Sequence, residues 1–414
     1  MRLLKESALY ILGTGLGRGL PFLLLPVLTL QLSVADYGKL SLATTIAGLL
    51  AIVVGMNPNL FVFAHFFKYK QAVLAVKLFN IVILALVTCV PILLLYTVLG
   101  EQLSRHYITF WLFAILVLIG LNRALAAMHL AIDQMERQPV PYFVFYLLMA
   151  ITLVGVMAML IAGDNFTWQS LLFIEAGVLL LLNLVYLSRL NGRGYLVARL
   201  DRAASLEFSK FSFPLLGHVG ALWAISFLDR LVIAELVGIE AVGAYSVAHT
   251  AALGLSLIHE SAHRAWQPIF YKKMQNEDPT EQRKIVRYTW GYYGVTVISA
   301  ILYMLLTLFF LQFFLPPEYD EVFTLLPFLV TGFAILGMYR FAAGYFYHYR
   351  DTKVLSFITV GCGLFHLVIM IFFVLFFGAI GAAYALILSY SLLFVLTMMV
   401  ASKFYNISWL SIRI

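Results

Sequence analysis

The chain carries little charge: Asp, Glu, Lys and Arg make up only 11% of its 414 residues, about half the share found in a soluble domain. That scarcity excludes an ordinary water-soluble fold. Cysteine is scarcer still, with Cys89 and Cys362 both inside apolar runs, which excludes a disulfide framework and a thiolate metal site. A short cleavable leader is not expected either, because the first apolar run, 8–32, is of spanning length and follows only Arg2, Lys5 and Glu6. What the chain has in abundance is apolar length. Hydrophobic residues make up 63% and the mean hydropathy is +0.96, with runs near the ~20 residues that cross a bilayer recurring from end to end.

Charges, prolines and glycines bound twelve such runs, near 8–32, 40–63, 77–99, 108–131, 141–162, 168–188, 211–237, 241–263, 286–311, 324–347, 353–377 and 379–401. Backbone groups in lipid must satisfy one another, so an all-α membrane protein with twelve transmembrane helices is expected. Of the 27 Lys and Arg, 21 fall in alternate connections, five of them between Ser188 and Lys210 and six between Arg264 and Arg287, whereas the opposite side has only Lys39 and Arg105. The bias of basic residues toward the cytoplasm places both termini there. The net charge of +7 and the pI of 9.2 then report topology and attraction to anionic membrane lipid, not nucleic acid.

The longest basic connection, 189–210, divides the chain into a six-helix lobe, 1–188, and a second, 211–414. A repeat crosses it. The stretch from Gly38 to Thr45 matches that from Gly243 to Thr250 at an offset of 205, with Gly, Ser, Ala and Thr identical. Six helices per half is an even number, so the two lobes run parallel and are related by a pseudo-two-fold axis along the membrane normal. Transporters of that construction hold substrate between the halves and rock them about it.

The sequence 226–233, SFLDRLVI, followed by VGAYSVA at 242–248 and WQPIFY at 266–271, resembles the seventh-to-eighth helix signature of oligosaccharide-lipid flippases. The opening LPFLLLP at 20–26 with Asp36-Tyr37-Gly38 is similar to their first helix and loop. These flippases belong to the multidrug, oligosaccharidyl-lipid and polysaccharide exporter superfamily. The resemblance implies a cavity between two six-helix lobes, alternating access, and export of an undecaprenyl-pyrophosphate-linked repeat unit of O-antigen or another polysaccharide. It also implies a bacterial inner-membrane location and polysaccharide polymerisation machinery as a partner.

Six ionisable residues lie well inside the runs: Arg18, Arg123, Arg230 and Arg340, with Asp229 and Glu175. A helix-centre charge costs roughly 2.5–3.5 kcal/mol on insertion scales. The surplus is cationic, and guanidinium forks pair bidentately with phosphate oxygens, so the four arginines are candidate substrate-binding residues for a pyrophosphate. Arg18, ten residues into its run and ~15 Å deep, is the strongest of them, with a structural ion pair as its alternative. Arg123 and Arg340 lie nearer the cytoplasmic ends, where snorkelling competes with binding. Adjacent helical residues point about 100° apart, so Asp229 and Arg230 are expected to meet different partners. Asp229 and Glu175 either carry a coupling proton or sodium ion or neutralise arginines. No resident cofactor or metal is expected.

Gly13, Gly15, Gly17 and Gly19 form small-xxx-small pairs that permit close helix packing, and Pro58, Pro91 and Pro327 are potential kinks. The aromatic stretch from Tyr339 to Tyr349 offers sugar-stacking faces or an interfacial belt. His259-Glu260-Ser261-Ala262-His263 matches the zinc-protease pattern H-E-x-x-H, but no third ligand stands nearby and the repeat counterpart, 54–58, has no ligand type. An intramembrane metalloprotease is therefore the weakest alternative. A multidrug or organic-cation antiporter is the nearer one, though no acid occurs between Glu6 and Asp36 to couple an ion in the first helix.

The topology is directly testable. In a chain with both native cysteines replaced, a membrane-impermeant thiol reagent should label Leu103→Cys on intact cells and Leu200→Cys only after permeabilisation. The opposite pattern would invert the assigned orientation.

Overall fold

The computed structural model describes residues 2–105, 107–274, 279–349, 351–405 and Trp409. Among these every regular element is helical. In chain order they are α1 (Arg2–Gln31), α2 (Val34–Gly55), α3 (Pro58–His65), α4 (Gln71–Arg105), α5 (Phe110–Met135), α6 (Pro139–Ala162) and α7 (Trp168–Gly192). There follow α8 (Arg202–Phe227), α9 (Asp229–Leu236), α10 (Ile239–Met274), α11 (Pro279–Phe314), a 3-10 turn at Pro317–Tyr319, α12 (Glu321–His348), α13 (Thr352–Phe377) and α14 (Ala379–Tyr405). Eleven are long and apolar enough to span a membrane, and a twelfth span arises if α8 and α9, bent by 50°, are one. This is the all-α, multi-pass architecture that the apolar runs predict, and α2 and α10 begin at the repeat offset of 205.

The helix breaks have local causes. The second run stops after Gly55 because Met56 and Asn57 both take positive φ, 53° and 56°, and Pro58, which has no N–H to give and disfavours helix in the residue before it, opens α3. Pro91 and Pro327 instead lie within helices that continue through them. Thr109 and Thr167 cap α5 and α7 through their side-chain oxygens, Thr167 in a reciprocal box with Ser170.

The described chain divides into two compact units, Met1–Pro21 with Ala35–Gly220, and Phe22–Val34 with Ala221–Ile414. Helices α1 and α8 therefore each contribute to both, and the connection 189–210 falls in the first. Hydrogen bonds explain that assignment. Asn80 of α4 donates to the Arg199 carbonyl and accepts from the Asp201 amide at 2.8 and 2.9 Å, and Gln71 donates to the Arg193 carbonyl at 2.8 Å. Lys77 pairs with Glu207, which also accepts from Tyr69 at 2.5 Å; that bond to a carboxylate holds the Tyr69 phenol above the ordinary tyrosine range. Asp133 of α5, 1% exposed in its side chain, meets Arg189 and Arg193 at 3.2 and 3.5 Å, and Glu136 takes Arg193 and Tyr195. Several basic residues of the connections are thus structural ion-pair partners.

Glycine sets the closest helix contacts. In the first unit a Cβ on Gly13 or Gly17 would meet Tyr142 or Tyr146 of α6, whereas Gly15 and Gly19 have nothing within 4 Å. Only one of the two small-xxx-small pairs is therefore a packing face. In the second unit a Cβ on Gly243 would lie 2.0 Å from the Val34 carbonyl oxygen, a backbone atom that a rotamer change cannot remove. Gly243→Ala should lower the melting temperature in detergent by several degrees, as expected for about 1–3 kcal/mol of overpacking. Gly291→Ala on α11, with open space around it, should leave melting unchanged or raise it. Equal melting of the two variants would refute the close approach.

Candidate functional site

The intramembrane charges are disposed differently in the two units. In the first, Arg123 of α5 directs Nε and Nη2 onto Glu175 of α7 at 2.8 and 2.7 Å. The structure corrects the snorkelling expectation for Arg123: long helical side chains lean toward the helix N-terminus, which carries this guanidinium toward Glu175. Arg18 is exposed on α1 and lies within electrostatic reach of the Tyr146 phenol.

In the second unit Asp229 and Arg230 pair with each other, Arg230 Nη1 to Asp229 Oδ1 at 2.9 Å, with side chains 1% and 5% exposed. This corrects the expectation that neighbours 100° apart meet different partners. The pair sits at the start of α9, where the bend after Phe227 lets Asp229 also accept the Arg230 backbone N–H at 2.9 Å. Its other oxygen takes the Tyr245 hydroxyl at 2.5 Å. His249 packs on Phe227 and Tyr245, and nearby His366 meets Ser389 at 2.9 Å. All of these groups are buried except Phe227, which is half-buried.

Arg340 of α12 is a different case. Its guanidinium donates to the Ser256 carbonyl at 3.1 Å and to the Ser256 hydroxyl at 3.2 Å, with no carboxylate among its contacts in the described residues. Ser256 lies midway along α10, so the charge reaches toward mid-span and the snorkelling expectation for Arg340 is also corrected. The direction has the same cause, since snorkelling toward the C-terminal end of α12 opposes the lean of the side chain. The described contacts thus match Arg123 and Arg230 with Glu175 and Asp229, while Arg340 is held by neutral oxygens.

The H-E-x-x-H residues face separate partners. Ser299 Oγ donates to the Thr296 carbonyl at 3.0 Å, so His259 Nε2, 3.2 Å from Ser299 Oγ, donates to it. His263 Nε2 is 3.1 Å from the Gln267 side-chain nitrogen, and Glu260 bonds Arg264 at 2.6 Å. Among the described residues no group of three or more His, Cys, Asp or Glu is placed to hold a metal. Ser256, Tyr245 and His366 are site residues that charge alone did not mark; the signal for Ser256 was its spacing of three and seven residues to His259 and His263, which puts all three on one helix face.

Two bundles of membrane-spanning helices of this kind define a class shared with known transporters. Over 96% of this chain and 87% of the other, the fold superposes on lipid II flippase MurJ in an inward closed conformation, with a TM-score of 0.75 at 13% identity. An inward-facing multidrug resistance MATE family transporter of the MOP superfamily matches over 97% and 94%, with a TM-score of 0.64 at 11% identity. The fold is shared with these two transporters. Residues 3–274 match the family model described as polysaccharide biosynthesis protein, and the chain belongs to that family. It is also 24% identical to an uncharacterized membrane protein of Haemophilus influenzae over 373 residues, 87% of each chain. The fold implied by the sequence motifs is the one found.

The buried pair gives a stability test. Asp229→Asn leaves Arg230 uncompensated in an apolar setting and should destabilise the protein by about 3–5 kcal/mol. Asp229→Asn combined with Arg230→Gln should recover much of that loss in the same melting assay. Additive losses would show that the two groups do not depend on each other.

Proposed function

We propose that this protein is a flippase that carries an undecaprenyl-pyrophosphate-linked oligosaccharide, such as an O-antigen repeat unit, from the cytoplasmic to the outer leaflet of a bacterial inner membrane. Both termini lie in the cytoplasm, and polymerisation machinery receives the product. The polysaccharide-biosynthesis family and the fold shared with a lipid II flippase support a lipid-linked saccharide as cargo. The observation that carries the reading is Arg340, a guanidinium aimed at mid-span and held, among the described residues, by the neutral oxygens of Ser256. An unmatched intramembrane cation is expensive and marks a pathway for an anion; a pyrophosphate supplies the missing charge. Arg18, exposed on α1, is the candidate anion ligand of the first unit. Arg123 and Arg230 act in this reading as scaffold, because Glu175 and Asp229 already match them. A coupling proton or sodium ion taken up at either acid has to break that acid's ion pair.

A multidrug antiporter is the second reading, favoured by the MATE transporter fold. The cationic surplus repels an organic cation, and the run 8–32 contains no acid to couple an ion, so the anionic cargo is preferred.

Export of surface polysaccharide in a strain deprived of its own repeat-unit flippase is the test. Wild-type protein should restore it. Arg18→Glu and Arg340→Glu should each abolish it while reaching the membrane in normal amount, and Arg105→Glu, at an exposed i,i+4 pair with Glu101, should export normally. Wild-type export by both intramembrane variants would defeat the proposal.

A further inference from the structure

The face that α10 turns toward α12 carries Ser256, His259, His263, Trp266, Gln267 and Phe270, a three- and four-residue spacing that aligns them along one helix stripe. The opposing helix supplies Gly337, Arg340, Phe341 and Gly344. The packing between them is close: a Cβ on Gly337 would lie 2.1 Å from His259 Nδ1. His259 is thereby fixed, donating Nε2–H to Ser299 and presenting the other side of its ring to α12. One turn further on, His263 is less constrained. Its Nε2 faces the Gln267 amide nitrogen, which can only donate, so the ring proton of a neutral His263 sits on Nδ1. That Nδ1 is buried and has no hydrogen-bond partner among the described residues. Arg340 acts electrostatically on both histidines and on Tyr292 of α11. Glu260, the acid nearest in sequence, pairs with Arg264 and also acts electrostatically on His263.

Aromatic rings flank these groups. Phe341 stacks on Tyr292 with centroids 3.6 Å apart and planes 16° apart. Half-buried Trp266 lies nearly parallel to Phe341 at 6.0 Å and edge-on to exposed Tyr288 at 6.0 Å. The stripe therefore combines an unmatched guanidinium, an unsatisfied ring N–H and an indole platform beside an amide. A phosphate needs the first two, and a hexose ring, with its apolar C–H face and equatorial hydroxyls, fits the last two.

We infer that this stripe is a sugar-phosphate subsite, in which Arg340 and His263 hold the phosphate joined to the first sugar while Trp266 and Gln267 bind that sugar's ring. The inference rests on the flippase reading and assigns the H-E-x-x-H stretch a role in headgroup recognition in place of metal chemistry. It predicts selectivity inside the cargo: the phosphate-proximal sugar is read in the second unit, with the lipid tail left outside the stripe.

Binding by the purified full-length protein in lipid nanodiscs tests it, with two probes, farnesyl pyrophosphate and the same molecule carrying glucose on its terminal phosphate. Arg340→Gln should weaken both by about 10–100-fold, the range of a charge-assisted hydrogen bond. Trp266→Leu should weaken the glucose-bearing probe by about 3–10-fold and leave the bare pyrophosphate unchanged. His263→Phe keeps ring volume without the N–H and should weaken both probes by about 3–10-fold. Arg340→Lys, which keeps the charge but not the fork, and Trp266→Tyr, which keeps a stacking face, should recover part of the lost affinity and separate binding from misfolding. Wild-type affinities in Arg340→Gln, or an equal loss of both probes in Trp266→Leu, would overturn the subsite. If polysaccharide export is intact while these variants bind normally, only the subsite falls. If wild type binds with the expected selectivity but never restores export, the subsite stands and the flippase reading fails.

Discussion

A charge inside hydrocarbon has three stable fates: pairing with an opposite charge, satisfaction by hydrogen bonds, or use by a passing ligand. Much of this protein's interior is organised by that restriction. Arg123 spends its charge on Glu175 across α5 and α7, and Arg230 spends its on the carboxylate beside it. Arg340 takes the second fate, held by one serine of α10, and so keeps a net charge for the third. The functional reading follows from that difference among arginines that are chemically identical.

The same restriction shapes the backbone. The bend between α8 and α9 interrupts the helical ladder where Asp229 sits, and the carboxylate accepts a backbone N–H and the Tyr245 hydroxyl there. A broken helix in a membrane is tolerated where protein groups satisfy what the break exposes. At the start of α3 the order is reversed. There, positive φ at Met56 and Asn57 and the missing N–H of Pro58 produce the break, and no ionised side chain is needed to hold it.

Histidines in the second unit show how a motif is decided by its surroundings. Two histidines four residues apart can share a metal, but His259 has committed one nitrogen to Ser299 and sits against Gly337, while His263 is oriented by Gln267. The i,i+4 spacing has become one edge of a helix–helix seam. It leaves the Nδ1 of His263, within electrostatic reach of Arg340, without a hydrogen-bond partner among the described residues. In the first unit, His129 has a different fate, bonded to Asn183 within a fully buried polar chain that reaches Asn122, which serves packing between α5 and α7.

The all-α, multi-pass class, the offset between α2 and α10 and the buried pair of Asp229 and Arg230 were legible in the sequence, because hydropathy over twenty residues and the cost of burying an ion are local properties that need no fold to express them. The relation to a polysaccharide-biosynthesis family was legible too, through short motifs around Asp229-Arg230 and Trp266-Gln267. The partners were not. Whether Arg230 meets Asp229 depends on a bend at Leu228, whether Arg340 snorkels depends on where Ser256 of another helix lies, and whether Gly13 or Gly15 packs depends on which face α6 covers. These are questions of which surfaces meet. One-dimensional spacing sets the residues that share a face, and only the folded chain decides what that face is pressed against.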